Sequence, residues 1–327
     1  MIRFATVVCL VLFMTVPLRA QIRQMDQDPN LNNLVHAAGY ETCQPGTLDA
    51  VEEVGTGKRT MILIAGAGFG GNVFKSMVEP RKDEFRMFLV TLPGFGGTAA
   101  PPMPEAGTSY AEQTWTNGAV DAVVELIQAE DLKRPTIVVH WYVATQVGLR
   151  LALDYPHLVG GVVVISGVPK SPFPATSLEE SVKFIDSQLA PQWFKTVTRD
   201  TWDDNNFLPG DYARHPVRAL QLWRQAANAP MPVWIRYLCE SWAQDITLEL
   251  DQIKVPTLVI KPGFDKDHWA PPGQNYLKTA CVDNWDGDFA ANESITLKRI
   301  DDARVFIMDD QPEELDKLLT DFLKSRE

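Results

Sequence analysis

Five short apolar runs rich in β-branched residues set the main limit on what this chain can fold into. Residues 60–65 (TMILIA), 87–91 (MFLVT), 136–139 (TIVV), 162–165 (VVVI) and 256–260 (PTLVI) are greasy without alternation. A strand with one wet face alternates apolar and polar residues. A strand apolar throughout is covered on both faces, as in a parallel sheet sandwiched by helices. Helical spacing separates the runs: Val120, Val123, Val124 and Ile127 share one face, and Leu315, Leu318, Leu319, Phe322 and Leu323 form a stripe near the end. Asp310, with Glu313 three residues on, reads as the N-cap of that last helix. The alternation predicts an α/β class: a doubly wound, mostly parallel sheet.

One interval breaks the rhythm. Residues 168–250 hold no strand run but contain Trp193, Trp202, Trp223, Trp234 and Trp242 among many helix formers. This reads as a helical insertion between two sheet strands, its tryptophans serving mainly as packing residues.

Residues 1–20 (MIRFATVVCLVLFMTVPLRA) carry Arg3, an apolar core from Phe4 to Val16 and Ala20 before Gln21, the pattern of a secretory signal peptide. The core is shorter than the ~20 residues a spanning helix needs, so cleavage and export are expected, with no stable membrane insertion afterwards. Cys43, Cys239 and Cys281 then reach an oxidising space, where at most one intramolecular disulfide forms; the sequence does not choose the pair. The formal charge of −12 without a basic run argues against nucleic acid as a partner. No Cys-x-x-Cys or His-Glu-x-x-His pattern occurs, so no metal site is expected. Nothing in the sequence sets an oligomeric state.

Four segments, in this order, resemble the α/β-hydrolase superfamily. Residues 63–71 (LIAGAGFGG) are similar to its oxyanion loop and residues 90–98 (VTLPGFGGT) to its Pro-Gly-x-Gly turn. Residues 136–155 are similar to its nucleophile strand–turn–helix, and residues 255–272 with 299–323 to its acid and histidine loops. The resemblance implies that fold over residues 46–167 and 251–327, a helical cap over 168–250, and an amino-terminal arm over 21–45.

In active members a strained turn presents the nucleophile and later loops supply an acid and a histidine. Aligning His140 with the histidine that commonly precedes the nucleophile puts Trp141 in the nucleophile's place; aligning the final loop puts Val305 where the histidine stands. Indole offers only an N–H donor, and valine is neither acid nor base. Acyl transfer needs a nucleophilic lone pair and a base to take its proton. Val139 and Val143 also replace small flanking residues, which predicts a relaxed turn or local repacking.

Asp267 keeps the family's Asp-x-x-x-Pro spacing to Pro271, Asp265 competes for the acid position, and His268 beside them is a candidate displaced base. Amides of Gly68 or Phe69 together with that of Tyr142 are the candidate oxyanion-type donors. Gly68, Phe69, Trp141 and Tyr142 are therefore the candidate ligand-binding residues. Residues 66–71 (GAGFGG) approximate a dinucleotide fingerprint but lack its final spacing, and no acidic residue ends the next strand, so no cofactor is expected.

The function expected is an exported hydrolase-like protein binding a small apolar, carbonyl-bearing or ester-like molecule without Ser-His-Asp chemistry. The alternative is a hydrolase or lyase with a relocated catalytic group among Ser166, Tyr142, Asp265, Asp267 and His268. An interaction protein has no specific support in the sequence.

Overall fold

The computed structural model describes residues 48, 50–173, 177–203, 209–264, 276–287 and 292–326. The proposed signal segment, the amino-terminal arm with Cys43, and Asp265, Asp267 and His268 lie outside the described residues.

All five apolar runs become strands. In chain order the sheet comprises β1 (Ala50–Val54), β2 (Arg59–Ile64), β3 (Phe85–Thr91), β4 (Thr136–His140), β5 (Gly161–Ile165), β6 (Thr257–Pro262) and β7 (Ile295–Ile300). Their spatial order is β1-β3-β2-β4-β5-β6-β7. Only β1 runs antiparallel to its neighbour. Strands β4 and β5 are buried at every position, which is why their side chains never alternate. Their register pairs His140 with Ile165, bringing the residues just past each strand, Trp141 and Ser166, side by side at the carboxyl edge of the sheet.

Two helices that matter for the site flank these strands: α1 (Thr114–Ala129) and α2 (Val143–Asp154). Between β5 and β6 the described residues form α3 (Leu178–Phe184), α4 (Ala190–Thr196), α5 (Pro216–Ala227) and α6 (Met231–Trp242), with shorter helical segments at Ile185–Leu189, Arg199–Asp203 and Pro209–Tyr212. The last helix is α7 (Pro312–Lys324).

Helix α6 is apolar nearly all round and buried from Pro232 to Trp242, as expected of a helix enclosed on every side. Trp234 lies over the β2 loop, and the Tyr237 hydroxyl donates to the Pro93 carbonyl at 3.1 Å. Buried Glu240 reaches the start of α1. Trp193 packs edge to face on two other tryptophans of this segment, with ring centroids 5.4 Å apart for Trp193–Trp242 and 5.7 Å for Trp193–Trp202.

Asp310 does not cap α7. Gln311 holds the N-cap position without a side-chain bond. The Asp310 carboxylate instead accepts the Arg214 N–H at 2.8 Å and the Arg304 N–H at 2.9 Å, tying the helical segment to the last loop. Cys239 and Cys281 are buried free thiols, so they do not form the single disulfide that the sequence allows.

Candidate functional site

The strand–turn–helix from β4 to α2 carries the backbone strain. Trp141 has φ 71° and Tyr142 has φ 37° with ψ −121°. A left-handed helical residue has ψ near about +47°, so Tyr142 lies outside even that well, at a cost of order 1–3 kcal/mol. The strained residue immediately before the helix is thus Tyr142, one beyond the Trp141 singled out by alignment on His140. The next N–H in the chain, a natural oxyanion donor in such a turn, belongs to Val143 rather than Tyr142.

The turn stays strained with β-branched Val139 and Val143 close by, and counted from Tyr142 its flanking positions are His140 and Ala144. Glycines elsewhere yield the space. A Cβ on Gly148 would lie 2.6 Å from Val139 Cγ1, and one on Gly66 would lie 2.2 Å from both the His140 and Trp141 carbonyl oxygens. Close approach of α2 and of the β2 loop is therefore kept by glycines outside the turn itself.

Tyr142 and Trp141 are fully buried, their rings edge to face at 4.5 Å. Burial pushes the Tyr142 phenol well above its ordinary value, and the neighbouring Cys281 thiol and Tyr212 hydroxyl add to the rise. At neutral pH this hydroxyl is a protonated donor, not a phenolate nucleophile.

Val305, aligned above with the family's histidine, lies in an apolar setting. Val305 is buried; its N–H donates to the Asp211 carbonyl at 3.4 Å, and the Phe306 N–H to the Tyr212 carbonyl at 2.8 Å. The Arg304 guanidinium donates to the Gly210 carbonyl, and Arg218 pairs with Asp309 at 2.9 Å. The turn Pro209–Tyr212 thereby sits on the final loop.

The setting of His140 does not suit a general base. Its Nε2 lies 3.1 Å from the Val305 carbonyl, which only accepts, so Nε2 carries the hydrogen. The ring packs 4.4 Å from Phe306, and burial pushes the imidazole down to about 4, against the opposing pull of the Val305 carbonyl.

At this one group the folded protein therefore binds fewer protons than the unfolded chain between about pH 4 and 6.5. The stability held by neutral His140 is complete above 6.5 and lost as pH falls toward 4, by roughly 3 kcal/mol. Urea denaturation of the wild type and His140→Phe across that range checks this. The difference between their pH slopes should have that sign; parallel slopes would refute it.

The oxyanion-type donors differ from those expected. The Phe69 N–H is committed to the Gly66 carbonyl at 3.1 Å, which removes it from the candidates. Gly68 has φ 89°, and a Cβ there would lie 2.3 Å from Trp234 Cζ2, so α6 closes directly over this loop. The Phe69 ring contacts Tyr212 at 5.5 Å and Phe306 at 4.7 Å.

Gly68, Phe69, Trp141, Tyr142, Val305 and Ser166 are thus placed near the carboxyl edge of the sheet. Tyr212, Trp234 and Cys281 join them without any motif that marks them in the sequence. Ser166 is fully buried with φ 49°; its N–H donates to the Ile260 carbonyl at 3.0 Å, and its hydroxyl has no protein partner. Among the described residues no three His, Cys, Asp or Glu side chains form a metal-holding group, and no helix is long and apolar enough to cross a membrane.

Comparison with known proteins places this geometry in context. Pimeloyl-[acyl-carrier protein] methyl ester esterase of Aeromonas hydrophila is 22% identical over 255 residues, covering 76% of this chain and 90% of that protein. The Edwardsiella ictaluri esterase of the same name is 28% identical over 171 residues, 51% of this chain, and the match spans only 59% of its own length.

Among solved structures, an esterase from Exiguobacterium antarcticum superposes with a TM-score of 0.61 at 15% identity, covering 84% of this chain and 94% of that one. A thermophilic esterase from Thermogutta terrifontis gives 0.58 at 17% identity, with 85% and 93% covered. At such identities the structures show the fold alone. A model of the "Alpha/beta hydrolase family" matches residues 61–318. With most of the described sheet and its flanking helices inside that match, the chain belongs to the alpha/beta hydrolase family.

Proposed function

We propose that this is an exported, capped family member that binds a small apolar or carbonyl-bearing molecule beneath the segment α3–α6 and does not hydrolyse it by Ser-His-Asp chemistry. One observation carries the reading. The strained turn that presents a nucleophile in this fold presents Tyr142, a buried protonated phenol, while the partner position presents the Val305 isopropyl group. Among the described residues neither an activated nucleophile nor a proton acceptor occupies these two positions. Export rests on the signal-like residues 1–20. The ester-like ligand class is supported by the esterase names of the relatives.

Ser166 favours a second reading, a relocated nucleophile, because a strained serine with an unpaired hydroxyl lies beside the turn. A fluorophosphonate probe separates the two. The expected result is no covalent labelling and no turnover of short-chain p-nitrophenyl esters above a heat-treated control. Labelling mapped to Ser166 would establish the second reading instead.

A further inference from the structure

Buried polar groups in folded proteins nearly always find partners, so a gathering of exceptions carries information. Five gather here. Ser166 Oγ, Gln146 Oε1, Ser241 Oγ, Trp242 Nε1 and Gln244 Nε2 are buried without a protein hydrogen-bond partner. Ser166, Gln146, Trp242 and Gln244 lie along one seam, and Ser241 adjoins it in the chain at the end of α6. The segment following β5 runs between the first turns of α2 and the end of α6. Gln146 Nε2 donates to the Val168 and Pro169 carbonyls, each at 3.1 Å. The Ile246 N–H donates to the Pro169 carbonyl at 3.3 Å, and the Phe173 and Trp242 rings meet at 5.1 Å.

The composition of the seam selects a chemistry. Gln146 Oε1 only accepts, Trp242 Nε1 and Gln244 Nε2 only donate, and the two serine hydroxyls do both. None of the five is charged. The charges beside them, Lys170 and Asp245, pair with each other at 3.6 Å and stay partly exposed. Apolar contact is offered by Trp242, with Trp193 at 5.4 Å from it.

We propose that this seam is the head-group site of the ligand pocket and takes a neutral group with both donor and acceptor, of the amide class, with its apolar body on the tryptophans of the cap. The proposal rests on the reading that a small ligand binds beneath the cap, and it adds the ligand's polarity and place. The five atoms are sealed in this structure, so entry parts the end of α6 from residues 166–173. The cost of keeping these groups unpaired favours that opening. Elsewhere the cap is held by Glu240 on α1 and by Tyr212 on the last loop.

The test uses the full chain and four six-carbon probes: hexanamide, hexan-1-ol, hexanoate and hexylammonium, titrated by tryptophan fluorescence and calorimetry. Hexanamide should saturate and bind at least about tenfold tighter than either ion, since the described charges beside the seam, Lys170 and Asp245, pair with each other. Ser166→Ala and Ser241→Ala should each weaken hexanamide about three- to tenfold, the loss of one neutral hydrogen bond. Because these hydroxyls are unpaired in the free protein, both variants should match or exceed the wild-type melting temperature.

A purely structural role predicts the reverse, lower melting and unchanged affinity, and that result overturns the proposal. So does tighter binding of either ion. If hexan-1-ol binds and hexanamide binds no better, the amide site falls and the apolar pocket stands. If no probe binds, the seam is not a site, while the absence of serine chemistry is still decided separately by fluorophosphonate labelling.

Discussion

Tyr142→Ser combined with Val305→His is expected to raise p-nitrophenyl butyrate hydrolysis by about 10³-fold or more over either single variant. The reason is the non-additivity of a proton-relaying pair. In a serine hydrolase, loss of the nucleophile or the histidine alone costs nearly as much as loss of the whole triad, around 10⁶ in rate. Restoring one partner without the other should therefore return almost nothing. Replacing the Tyr142 ring by a hydroxymethyl group also frees buried volume at the turn.

The control is Trp141→Ser with Val305→His. Residue 141 precedes the strained position, where Tyr142 has ψ −121°, so this pair should stay inactive. Activity at 141 and none at 142 would show that alignment on His140 locates the nucleophile and the backbone does not. Strong activity of Tyr142→Ser alone would show that a base already stands in the site, with His268 the first to replace.

The one-residue shift at the turn shows how far the sequence could be read. The sheet was legible because β4 and β5 are buried on both faces and contain little but β-branched side chains. The outer strands were not: β1 is AVEEV and β7 is ITLKRI, mostly exposed strands whose charged side chains hide them among loops.

Which residue takes the strained turn position is a property of φ and ψ. With two bulky aromatics in succession and no serine to mark the place, side-chain identity could not fix it. Val139 looked incompatible with close packing because its complement, Gly148, lies nine residues away on α2. Asp310 looked like a helix cap because local pattern carries no information about Arg214, 96 residues distant.

Glu240→Ala is expected to lower the unfolding free energy by roughly 3–5 kcal/mol, the usual cost of stranding a buried charge. Helix α1 begins from Gln113, which sits at φ 54°, ψ 36° and gives no side-chain cap. The orphan donors of its first turn are instead met from α6. Glu240, fully buried, accepts the Trp115 N–H at 3.1 Å, the Thr116 N–H at 2.9 Å and the Thr116 hydroxyl at 2.8 Å. Arg236 donates to the same carboxylate at 2.8 Å through Nε and to Thr114 Oγ1 at 2.9 Å. Alanine at 240 removes the counter-charge of the Arg236 guanidinium and the acceptor of the Trp115 and Thr116 N–H groups in one step.

Glu240→Gln should lose less, because a neutral carbonyl still accepts from the helix. Glu240→Leu with Arg236→Met should recover much of the loss, since no charge is then left buried. Because α6 also holds Trp234 over Gly68, Glu240→Ala should speed amide exchange at residues 66–71 more than in the central strands. Urea denaturation and hydrogen exchange read both effects. A loss under about 1 kcal/mol, the worth of an ordinary surface pair, would mean that α6 is fixed by its apolar packing and that the carboxylate contributes little to holding the site closed.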